Sequence, residues 1–224
     1  MDLRHHPMFT FRQHVWTLIL FASMHSFAGA QTTTDVGLNA RLLVAARNND
    51  LAAVGRLLAA GAHPDSRNRL GKTVLFTACE RGDAAMAQAM LDAGADVNLP
   101  ALSRVTPLMA AAHVGQVALV KALLARGARV DALDQLHKPA IVYAAGQGHT
   151  EVVRLLLDAG VPADAVYEND LTALMWAAAY GHSQTVALLL DKGADRQRRD
   201  NRGKSALEMA REGGYGDVVR QLER

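Results

Sequence analysis

A Gly-Ala step recurs through the chain at intervals of 33 residues: Gly61-Ala62, Gly94-Ala95, Gly127-Ala128, Gly160-Val161 and Gly193-Ala194. Four further columns keep this register without an insertion. Leu42, Leu75, Leu108, Ile141, Leu174 and Leu207 form one. Ala45, Ala78, Ala111, Ala144, Ala177 and Ala210 form another, and Leu57, Met90, Leu123, Leu156, Leu189 and Leu222 a third. The fourth is Gly82, Gly115, Gly148, Gly181 and Gly214. A period of this length is the mark of stacked supersecondary units, each unable to bury its apolar face without a neighbour. The chain is therefore expected to be a solenoid, stabilised by contacts between adjacent units.

Within a unit the residues read as two helices. Thr73, Thr106, Thr172 and Ser205 stand where a hydroxyl can cap the free N–H groups of a first helix. Pro107 follows at the first helical position, where no N–H is needed. The Leu and Ala columns continue at helical spacing, and the Gly column ends the helix by taking a left-handed conformation. A second helix starts at positions such as Thr150-Glu151-Val152-Val153, with apolar residues three and four apart.

Two stretches carry a resemblance to a known family. Thr106-Pro107-Leu108-Met109-Ala110-Ala111 resembles the T-P-L-H-x-A signature of ankyrin repeats, and Gly148 to Gly160 is similar to that family's second helix and exit. The resemblance covers residues 38–224. It implies an all-α ankyrin solenoid of helix-turn-helix units with hairpin-like loops projecting at right angles. The units fall at about 38–71, 72–104, 105–137, 138–170, 171–203 and 204–224. The signature His is replaced by Phe76, Met109, Val142, Met175 and Glu208, so apolar packing must substitute for its hydrogen bonds. Unit four has Pro139 in place of the capping hydroxyl and Val161-Pro162 after its terminal Gly, and is expected to be the least regular. Arg211, Glu223 and Glu208 make the last unit polar, as Arg41, Arg47, Asn48 and Asn49 do the first. Solenoids need polar terminal faces, so the array reads as complete.

Residues 1–30 read as a secretory signal: a basic start with Arg4 and Arg12, an apolar run Val15 to Ala22, and Ala28-Gly29-Ala30 before Gln31. The apolar run is short against the roughly 20 residues a bilayer span takes. Cleavage is expected between Ala30 and Gln31, with 31–37 a polar leader, and the product periplasmic or secreted. The alternative is an uncleaved anchor. The single cysteine, Cys79, allows no internal disulfide and occupies a packing column otherwise filled by Ala.

Lys plus Arg number 24 against 22 Asp plus Glu, too balanced for a nucleic-acid surface. No P-loop, nucleophile elbow or full dinucleotide motif occurs. His149 and His182 follow the Gly column and are expected to serve the helix-helix turn, and the remaining histidines lack metal-ligand spacing. No cofactor, metal or catalytic residue is expected. The basic run Arg196, Arg198, Arg199, Arg202 and Lys204 is interrupted by Asp200 and reads as a solvated loop more readily than as an acidic-partner site.

The resemblance places binding on a concave surface made by the hairpin tips and inner helices. By repeat position the candidates are Leu102, Arg104, His113, Leu136, Tyr143, Glu168, Leu171, Trp176 and Tyr180. Leu at a loop tip suits a contact surface, and aromatics make interface hot spots. Tyr143 and Trp176 share a column and fit either contact or packing between inner helices. The expected function is a monomeric, exported, non-catalytic scaffold for a protein partner, without nucleic acid and without membrane after signal cleavage. The alternative from another class is an enzyme or small-ligand binder with its site in the concave groove.

Overall fold

The computed structural model describes residues 37–224. The expected signal, and the leader up to residue 36, lie outside the described residues. Helix α1 occupies 37–47. It is followed by α2 (Leu51–Ala59), α3 (Val74–Arg81), α4 (Ala84–Asp92), α5 (Pro107–Val114) and α6 (Val117–Ala125). Then come α7 (Ala140–Gly146), α8 (Thr150–Asp158), α9 (Ala173–Ala179), α10 (Ser183–Asp191), α11 (Ala206–Glu212) and α12 (Gly216–Glu223). The described residues are all-α apart from single bridge pairs in two loops, Val166 with Thr172 and Arg199 with Ser205. None of these helices is long and apolar enough to cross a membrane.

The helices form two layers. First helices stack on first helices, α3 on α5, α5 on α7, α7 on α9 and α9 on α11. Second helices stack likewise from α2 through α12. The repeat columns are the core: Leu75, Leu108, Ile141 and Leu174 are buried from the first helices, and Met90, Leu123, Leu156 and Leu189 from the second. Small Ala side chains, such as Ala111, Ala144 and Ala177, lie fully buried between them. The positions that depart from the signature His, Phe76, Met109, Val142 and Met175, are buried as well. In the last unit Glu208 closes a capping box, taking the N–H of Ser205 at 2.6 Å.

Hydroxyl caps form where the spacing placed them. Thr73, Thr106, Thr172 and Ser205 accept the N–H three residues on. Unit four lacks this bond, because Pro139 stands at its cap.

Another column changes its role along the stack. Asp50 and Asp83 cap their own second helices, accepting from Ala53 and Met86. At the equivalent places His149 and His182 make no such bond. Their rings instead reach back one unit, where Nε2 of His149 donates to the carbonyl of His113 at 3.0 Å and that of His182 to Gly146 at 2.9 Å. The rings lie on Gly115 and Gly148, where a Cβ would meet them at 2.4 and 2.5 Å. Both glycines also have positive φ, so no other residue suits these positions. The turn role expected of the two histidines is thus a bond between units.

The loops carry a second ladder. The side chain of Asp65 accepts the N–H of Asp96 at 2.8 Å, Asn98 that of Arg129 at 2.8 Å, and Asp164 that of Asp195 at 3.2 Å. The corresponding donor for Asp131 is Pro162, which has no N–H. Asp131 turns to the guanidinium of Arg129 instead, at 3.2 Å. The following loop holds a tight turn at Glu168–Asp170 with positive φ at both Asn169 and Asp170. Unit four and its loop therefore depart from the pattern at three points.

Candidate partner-binding groove

Two adjoining hollows, of about 440 and 420 Å³, lie between the loop tips and the first helices of units three to five. The first is lined by loop residues around Leu136 and Glu168, with Leu171 and Trp176. The second is lined by His113, Tyr143, Trp176, Tyr180 and His182. Seven of the nine expected contact residues meet there, with Trp176 as the shared wall. Leu102 and Arg104 do not join them. Leu102 is 64% exposed but leans over Gly71, and its N–H donates to Leu70 at 3.1 Å. Arg104 lines a separate hollow with Thr106 and Leu133.

Helix α9 positions the aromatics. Trp176 and Tyr180 are one turn apart, with ring centres 6.1 Å apart and planes within 11° of parallel. The Tyr180 ring continues the row to His182 at 6.4 Å. Trp176 and Tyr143 also rest against the buried core. Each thus packs against the core on one side and lines the groove on the other. Tyr180 is 53% exposed and Leu136 62%.

The polar groups mostly shape the loops. Asp134, only 3% exposed, accepts the N–H groups of Leu136 and Lys138 and, at 2.5 Å, the Tyr143 hydroxyl. Burial, with the Asp134 carboxylate, holds the Tyr143 phenol above its ordinary range. Burial alone pushes Tyr167 up to about 12. His137 Nδ1 and Glu168 Oε2, on successive loops, lie 2.6 Å apart. Cys79 is fully buried and its thiol is pushed up to about 12, far from the thiolate a nucleophile needs. Among the described residues no three His, Cys, Asp or Glu side chains gather to hold a metal.

Four of the five members of the basic run, all but Arg196, are spent on internal pairs. Arg198 grips Asp164 of the preceding loop at 2.5 Å, Arg199 pairs with Glu208, Arg202 with Asp200, and Lys204 with Glu212. Sequence reasoning left the groove residues Lys138 and His182 out of the principal site, although His182 ends the aromatic row. It also passed over the exposed apolar residues Leu70, Leu133 and Val166. The alternation of exposed Leu70 and Leu136 at one repeat position was the available signal for part of this set.

The family model described as ankyrin repeats (3 copies) matches residues 42–134, 108–200 and 141–223. Together these matches span most of the chain, which belongs to the ankyrin-repeat family. No curated protein matches it significantly. Ankyrin repeats are generally protein–protein interaction scaffolds, and the all-α stack seen here has that architecture.

Proposed function

We propose that this protein is an exported, non-catalytic scaffold that binds a protein partner in the groove of units three to five. The carrying observation is the stacked Trp176–Tyr180 pair, open to solvent at Tyr180 and bordered by exposed Leu136 and half-buried Leu171. Rigid aromatics with apolar neighbours supply binding area at low entropic cost. The groove's titratable groups favour the same reading. Asp134 and Tyr143 hold each other, as do His137 and Glu168, an arrangement that orders the loops. Export rests on the basic start, apolar run and Ala28-Gly29-Ala30 of the N-terminus.

Affinity capture from a periplasmic extract tests the reading, with the Trp176→Ala/Tyr180→Ala variant as the control. A stoichiometric partner retained by the native chain and lost by the variant is the expected result. Recovery of no partner, together with a turnover activity in the pure protein, would overturn it. Mass spectrometry of the exported chain is expected to show Gln31 at its start, and an intact residue 1–30 segment would mean a retained anchor.

A further inference from the structure

Lysine stands at the same repeat position in three units, as Lys72, Lys138 and Lys204. In two of them a glutamate eight residues on neutralises it. Lys72 Nζ lies 2.8 Å from Glu80, and Lys204 Nζ lies 2.7 Å from Glu212. In unit four the glutamate's place is taken by Gly146. Lys138 Nζ sits instead over the Trp176 ring of the next unit, 4.5 Å from its centre. No carboxylate among the described residues pairs with it. Asp134 and Glu168, which adjoin the groove, are engaged by the bonds described above. Lys138, half-buried as a residue, thus holds its ammonium at the shared wall of both hollows, on an aromatic face and without an acid.

We propose that Lys138 anchors a carboxylate supplied by the partner, so that the groove accepts an extended protein segment in which Asp or Glu is flanked by apolar side chains. This rests on the protein-binding reading above and names the chemistry of its ligand. The carboxylate takes the place that Glu80 and Glu212 fill in their own units. The apolar neighbours lie along Trp176 and Tyr180. The cation–π contact keeps the ammonium in position before the segment arrives, and partial burial makes the ion pair stronger than one on an open surface.

Gly146 is what leaves the position open. A Cβ there would meet Cε3 of Trp176 at 3.6 Å, an ordinary contact, and the residue is helical. The Cβ of a glutamate at 146 is therefore accommodated, at the repeat position from which Glu80 reaches Lys72. The variant Gly146→Glu closes the site from within.

The test is selection from a random library of octapeptides, blocked at both ends, on the full chain, its Gly146→Glu and Lys138→Met variants, and Trp176→Ala/Tyr180→Ala. Enriched peptides are then titrated against the chain carrying Trp16→Phe, in which Trp176 is the one remaining indole. The expected result is enrichment of peptides with an Asp or Glu between apolar residues. Their Gln or Asn counterparts should bind at least about fivefold more weakly. Gly146→Glu and Lys138→Met should lose the same peptides while keeping the native melting transition. Peptides that are lost by the aromatic double variant but show no acidic preference, and tolerate Gly146→Glu, would overturn the carboxylate anchor and leave the scaffold standing. Enrichment indifferent to all the variants, or none, would remove both.

Discussion

The contacts of His182 make the bond between units four and five measurable. Gly148→Ala places a methyl group 2.5 Å from the imidazole, at a residue whose φ is +74°. Gly127→Ala imposes the same backbone penalty at φ +81°, with nothing within 4 Å of the new Cβ. The left-handed conformation costs an L-residue about 1–2 kcal/mol, common to both variants. Only Gly148→Ala must also expel the ring and its 2.9 Å bond to Gly146. That loss adds about 1 kcal/mol. Gly127→Ala should therefore cost about 1–2 kcal/mol and Gly148→Ala about 1 kcal/mol more. With His182→Ala already present the ring is gone, and Gly148→Ala should cost no more than Gly127→Ala. The two substitutions then fall short of additivity by about 1 kcal/mol. Urea midpoints at constant slope give each value. Equal costs at 127 and 148, or strict additivity of Gly148→Ala with His182→Ala, would refute the reading of the histidine as a bond between units.

Four other outcomes are expected. Amide exchange should be faster in α7 and the loop after α8 than in the corresponding parts of units three and five, since Pro139 removes a cap and Pro162 a ladder bond; uniform protection would contradict this. The N–H and hydroxyl of Ser205, then Arg199, lower the Glu208 carboxyl from 4.5 to about 2. A depressed carboxylate stabilises the fold above its unfolded pKa and loses that contribution as pH falls through the folded one. Glu208→Gln should therefore flatten the decline in stability between pH 4.5 and about 2, and an unchanged acid profile would count against the capping box. Trp176→Ala/Tyr180→Ala should weaken partner binding by about 2 kcal/mol or more with the fold retained. Arg198→Ala/Arg199→Ala should chiefly lower the melting temperature, because these arginines hold Asp164 and Glu208. A larger, salt-sensitive affinity loss in the arginine variant would move the site to that loop.

What was legible in the sequence was what repeats. Leu75, Leu108, Ile141 and Leu174 announce a buried column because identical chemistry returns at a constant interval, and all four are buried. Thr106 and Ser205 announce caps because the bond spans only three residues. Contacts between units were harder to see. Asp83, Gln116, His149, His182 and Tyr215 share one position but not one chemistry. Nothing in that series says that the acid caps its own helix while the imidazole crosses to the preceding unit. Arg198 finds Asp164 across 34 positions, so its charge reads as free until the loops are stacked. The groove was legible in part. Repeat position gathered Leu136, Leu171, Trp176 and Tyr180, but Leu102 leaves the set by settling on Gly71. A glycine 31 residues upstream is a receptor that only the assembled stack reveals.

The changing residue at the start of each second helix has a mechanical consequence. Asp50 and Asp83 spend their side chains locally, whereas His149 and His182 spend theirs on the unit before. Tyr215 sits over Gly181 in the same manner. The imidazole bonds thus tie units four and five to the units before them, a link that Asp50 and Asp83 do not make. Pulled from both ends, the array is expected to yield at units one and two before the histidine-bonded units, with unit four, which lacks a cap and a ladder bond, the first of the later units to open. A force trace whose first steps come from the units without the imidazole bond is the signature of that gradient.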